Sequence, residues 1–234
     1  GAADETMTTK RQILSLYRPL LERHSDLALI QAKFGPLVVL KPIHHLIRGF
    51  RVQRTAYSDY PEYHWDVGFT FWHKASVYGV AGTNFVTPDI KTMYWSHPHH
   101  EAAFIDSIET EILPILRSVG TIQALLSFSH PMEPRWRWRL ELPVNQMCLQ
   151  AALGDFAAVA RASAEMRAKG PLQLPWWGEE TYGDMMEGLL PFCEAGDRAG
   201  VAALLHHWED NFIATHGLQA LHEKTPFPVE HRSE

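Results

Sequence analysis

Apolar residues recur along the chain with two different periods, and the change of period divides it. Ile13, Leu16, Tyr17, Leu20, Leu21 and His24 fall at steps of three and four behind Thr8 or Thr9, which predicts a capped amphipathic helix. Pro19 lies inside that pattern and is expected to kink or divide it. Leu37 to Leu40, introduced by Phe34-Gly35-Pro36, reads as a short buried strand. From Arg48 to Thr55 the period drops to two, with Phe50 and Val52 alternating with Arg51 and Gln53. After a turn at Ser58-Asp59-Tyr60-Pro61, Tyr63, Trp65, Val67, Phe69 and Phe71 share one face of the clearest strand, and Val77 to Phe85 predicts an edge strand.

A helix follows from Ser96 or His97 through Leu116, with Pro114 in its last turn, and Thr121 caps a short segment from Ile122 to Phe128. Arg135 to Leu142 alternates strictly, as a strand or an extended strap would. Everything from Pro143 to Glu223 has helical periodicity. Here the sequence repeats itself: Ala152 to Ala160 and Glu194 to Ala202 agree at five of nine positions, with Gly-Asp at the same place in each. A glycine that ends one helix and an aspartate that caps the next make a tight helical hairpin. The expected fold is therefore α+β: an antiparallel sheet with flanking helices over 1–142, two tandem helical hairpins packed on it over 143–223, and a flexible tail over 224–234.

This order of features resembles the layout of bacterial families of uncharacterised domains. The resemblance covers Lys10 to Phe128, with the Ile112-Leu113-Pro114-Ile115-Leu116 run, and the Gly-Asp turns. It implies the fold and carries no catalytic motif.

Composition restricts the function classes more than it selects one. Across 234 residues the formal net charge is -6, which disfavours nucleic-acid backbones as partners. Gly1 to Thr9 is polar, and eighteen apolar residues never run together, so neither a signal peptide nor a membrane span is expected in this sequence, and a cytoplasmic location is. Cys148 and Cys193 sit in helical apolar patterns and read as small buried hydrophobes. Gly-x-Ser-x-Gly, glycine-rich phosphate loops and His-Glu-x-x-His are all missing.

Two clusters remain. Within Ser96 to Glu101, His97, His99, His100 and Glu101 supply the nitrogen and oxygen donors that a transition metal takes, with His130 or His73 as a distant further ligand. That pattern points to a metal-dependent, hydrolase-like enzyme; otherwise no cofactor is expected. Trp176 and Trp177, between the hairpins, together with Trp208, make an aromatic surface of the kind enriched where proteins meet. The leading expectation is a non-enzymatic protein-binding module, or a homodimer, that uses the hairpins and this linker as its contact surface. Arg48, Arg51 and Arg54, opposite His64 and Asp66, read as an anion-binding face or as an ordinary charged sheet surface.

Overall fold

Thr9 opens the first helix, α1 (Lys10–Arg23), through a reciprocal capping box. Its hydroxyl accepts the Gln12 N–H at 3.2 Å, and the Gln12 side chain accepts the Thr9 N–H at 2.8 Å. The computed structural model describes residues 8–76, 79–128, 139–171 and 178–231. α1 runs unbroken through Pro19 and buries Ile13, Leu16, Tyr17 and Leu20, so tertiary packing overrides the expected division.

Five strands follow: β1 (Leu27–Ala32), β2 (Gly35–Leu40), β3 (Leu46–Gln53), β4 (Glu62–Phe69) and β5 (Gly79–Phe85). Among the described residues they form one antiparallel sheet in simple sequence order, β1-β2-β3-β4-β5. The two-residue period of β4 is realised as alternate burial of Tyr63, Trp65 and Val67. The apolar positions of β1 alternate too weakly to stand out in the sequence, and pairing with β2 from Leu27–Leu40 to Ala32–Gly35 makes it a strand.

Helix α2 (His100–Ser107) continues through a π turn (Ile108–Ile112) into α3 (Leu113–Ser118), and Thr121 caps α4 (Ile122–Leu126) by accepting the Ala124 N–H at 3.1 Å. Helices α5 (Pro143–Leu153) and α6 (Phe156–Lys169) form the first hairpin. α7 (Gly178–Gly183), a second π turn (Asp184–Leu189) and α8 (Leu190–Glu194) lead into α9 (Arg198–His216) for the second. Both π turns end two residues before a proline, Pro114 and Pro191. Proline has no N–H to give, and in each case that gap falls where the hydrogen-bond register widens and returns to four residues.

The repeated Gly-Asp pair does what its chemistry dictates. Gly154 and Gly196 adopt positive φ, 81° and 63°, and Asp155 and Asp197 accept the N–H of Ala158 and Gly200 at 3.0 and 2.9 Å. The helical pattern ends at His216, short of Glu223, because Gly217 closes α9 in the left-handed conformation. Arg139 to Glu141 form a helical turn instead of strand or strap, and the rest of the Arg/Trp alternation lies outside the described residues. Phe227 and Val229 are fully buried, so the segment expected as a flexible tail is anchored as far as His231.

The chain divides into two units, at boundaries unlike those expected. The first holds Gly1–Ile43, Ile47–Val67 and Gly82–Gly120; the second holds His44–Leu46, Gly68–Ala81 and Thr121–Glu234. The short pieces 44–46 and 68–81 belong to the second unit, where His45 and Thr70 both bond to Glu209 of α9. No described helix is long and apolar enough to cross a membrane.

Candidate interaction surface

In the first unit, β2 and β3 pair directly at Val38–Phe50 and Val39–Gly49. Two residues farther along, the same register sets Pro36 opposite Val52, and there the ladder is interrupted. The Tyr17 hydroxyl stands between them, donating to Pro36 O at 3.1 Å and accepting from the Val52 N–H at 2.8 Å. Pro36 has no N–H to return, so this pair could make only half of the usual exchange, and the tyrosine intercepts that half. A hydroxyl bridge takes two hydrogen bonds where a ladder takes one, which holds the strands apart. Burial pushes the Tyr17 phenol well above its ordinary range, so it stays protonated and able to donate.

At this place lies a groove of about 740 Å³, lined by the β1–β2 turn, the end of β3 and the start of α1. Lys10, Lys33, Arg51 and Arg54 line it, and among the described residues no carboxylate does. None of the four forms an ion pair with a described residue, and Arg51 Nε is buried without a hydrogen-bond partner among them. Phe34, on the hairpin tip, is 83% exposed. A concentration of cations with no ion-pair partner among the described residues, on a chain of net charge -6, is a local electropositive feature that the overall composition conceals.

Arg54 also lines a second concavity of about 730 Å³, formed by Thr55 to Tyr60 with Thr8, Ile90 and Tyr94. Its apolar surface is open to solvent: Tyr57 is 73% exposed, Ile90 49% and Tyr94 43%. The loop that presents it is fixed. The Thr55 hydroxyl donates to Tyr60 O at 2.5 Å and accepts the Tyr57 N–H at 3.0 Å. The Asp59 carboxylate accepts from Ser96 N and Oγ at 2.9 and 2.6 Å, and the Tyr60 and Tyr94 rings meet edge to face at 5.2 Å. Binding to such a surface spends little entropy on ordering it.

The histidine cluster is placed differently from a ligand set. His100 is buried; its Nδ1–H donates to Thr92 O at 2.8 Å, and its Nε2 lies 3.3 Å from the Tyr63 hydroxyl. Both ring nitrogens are thus engaged by the fold, and burial holds the imidazole below its ordinary value. His97 precedes α2 and its Nδ1 accepts the His99 N–H at 3.1 Å; with His100 and Glu101 it lines a cavity of about 330 Å³. Among the described residues, no three His, Cys, Asp or Glu side chains are grouped to hold a metal ion. His130 lies outside the described residues.

Trp176 and Trp177 also lie outside the described residues. Trp208, expected at a contact surface, is 7% exposed and edges the ring of His73, so its area is used in the interior of the second unit. Cys148 and Cys193 are buried as expected, and burial pushes both thiols up, Cys193 to about 12.

Two buried polar centres in the second unit were not apparent from the sequence. Glu209, fully buried, is met by Thr70 Oγ1 at 2.5 Å, His45 Nδ1 at 2.8 Å and His222 Nε2 at 3.2 Å. His73 Nδ1 lies 2.5 Å from Asp184 and its Nε2 3.0 Å from the Thr181 hydroxyl, a carboxylate, imidazole and hydroxyl in series. Thr181 is only 4% exposed, so this series tethers the second π turn and does not present a nucleophile. Burial keeps His73 below its ordinary value despite Asp184.

The four cations come from α1, a hairpin tip, β3 and the residue that follows it, and no local motif unites all four. Arg51 and Arg54 belong, with Arg48, to the possible anion-binding face read from the sequence, and Lys10 and Lys33 carry no sequence signal. Comparison with family models, with curated proteins and with solved structures found no match for this chain.

Proposed function

We propose that the chain is a protein-binding module that engages its partner through the first unit, at the basin of Tyr57, Tyr60, Ile90 and Tyr94 and the adjoining cationic groove. The observation that carries this reading is a pre-ordered aromatic loop beside a cluster of cations that have no ion-pair partner among the described residues, the two joined at Arg54. Tyrosine and arginine are the residues in which interface binding energy concentrates, and an open aromatic surface of this kind stays in water until a partner covers it. Charge complementarity makes the partner an acidic protein. The aromatic linker and hairpins expected to carry the contact are replaced in this reading by a face of the sheet unit.

A photo-cross-linking residue at position 57 tests it in the full chain, with one at position 192, on the exposed Phe192 of α8, as control. The reading expects one saturable adduct from position 57, lost with Tyr94→Ala, whose protein component is acidic. An adduct of two copies of this chain, or equal labelling from both positions, would overturn it.

A further inference from the structure

We infer that the groove between Lys10, Lys33, Arg51 and Arg54 is a carboxylate-binding site that takes a short acidic peptide segment of the partner. This inference rests on the protein-binding reading and adds the chemistry of the segment recognised.

Three observations favour carboxylates on a peptide. The described lining presents two guanidinium and two ammonium groups with no acid among them, and guanidinium pairs with carboxylate through parallel hydrogen bonds. Arg51 Nε, buried and without a hydrogen-bond partner among the described residues, is a donor still to be satisfied. The remaining walls, Ile13, Pro36, Val52 and the exposed Phe34, suit the methylenes and apolar side chains that separate carboxylates along a peptide. A long polyanion is disfavoured by the chain's net charge of -6, and among the described lining residues base stacking has only the Phe34 ring to use. Tyr17 ties two of these walls together through its bridge from Pro36 to Val52.

The test is binding of a fluorescent hexapeptide of alternating glutamate and phenylalanine, beside its glutamine counterpart and a single-stranded oligothymidylate of equal charge, measured by anisotropy at about 50 mM salt, where charge pairs are weakly screened. The glutamate peptide is expected to bind and the other two to bind at least roughly tenfold more weakly, the scale of one lost charge-assisted pair. Arg54→Gln and Lys33→Gln, both at exposed positions, are each expected to weaken it by a similar factor, while Arg18→Gln, outside the groove, leaves it unchanged.

Equal binding of the oligonucleotide would overturn the proposal, as would equal loss with Arg18→Gln. So would a tenfold gain in Asp4→Asn with Glu5→Gln, which would assign the groove to the chain's own N-terminal segment. An adduct from position 57 that persists while the peptide fails to bind would remove this inference and leave the protein-binding reading standing; failure of both would remove both.

Discussion

The Tyr17 hydroxyl accepts the Val52 N–H at 2.8 Å, where the register of the sheet would otherwise have set a strand partner. A residue of α1 thereby joins two strands of the sheet at Pro36 and Val52, which line the groove beside it. Tyr17→Phe removes both bonds of the bridge and leaves the Val52 N–H and the Pro36 carbonyl without it. The expected cost is about 1–3 kcal/mol, read as a lowered urea midpoint at unchanged slope. A midpoint equal to that of the parent chain would show that the strands close directly without the bridge.

Glu209 holds together pieces of chain that are far apart in sequence. With the carboxylate gone, His45, Thr70 and His222 lose a shared partner inside the protein. Glu209→Ala is therefore expected to destabilise by about 3–5 kcal/mol, and Glu209→Gln, which keeps an acceptor oxygen, by less. Equilibrium unfolding of the two variants checks the order; a smaller loss for alanine than for glutamine would contradict it.

Each Gly-Asp turn rests on one side-chain cap. Asp155→Ala and Asp197→Ala are each expected to cost about 1 kcal/mol, because the N–H groups of Ala158 and Gly200 lose their acceptor. The two losses are expected to add in the double variant, since the caps share no partner. Thermal denaturation of the two single variants and the double variant measures this.

His100 links stability to pH. Burial depresses its folded-state value below the ordinary 6.5, with the Thr92 carbonyl, Asp59 and Glu101 pulling the other way and not prevailing. Between the folded value and 6.5 the unfolded chain binds more protons than the folded one, so stability falls as the pH drops through that window. His73, depressed by burial against Asp184, acts in the same direction. Urea unfolding at about pH 7.5 and about pH 5 is expected to show a smaller acid loss in His100→Gln than in the parent chain. An equal loss would assign the acid sensitivity elsewhere.

Much of the architecture could be read from local pattern, because its causes are local. A glycine followed by an aspartate specifies its turn by itself, the alternation from Tyr63 to Phe69 specifies its strand, and a threonine at 8 or 9 marks the start of α1, which the structure assigns to Thr9. The surface was harder to read, because its residues become neighbours only through the sheet: Lys10, Lys33 and Arg54 have no common sequence motif. The histidines of 97–100 showed the converse. Their density in sequence suggested one site, while the fold directs His100 inward to Thr92 and Tyr63 and leaves His97 and His99 on the surface turn. Likewise Trp208 belongs to an aromatic composition that suggested contact, and burial against His73 uses it internally.

If groove and basin form one binding face, cross-linkers placed at position 34 on the hairpin tip and at position 57 in the aromatic loop must capture the same molecule. The result expected is one adduct of identical mass from both positions, absent from position 192, with an acidic segment at the site of attachment. Adducts of different mass from the two positions, or capture from position 192 alone, would contradict the account.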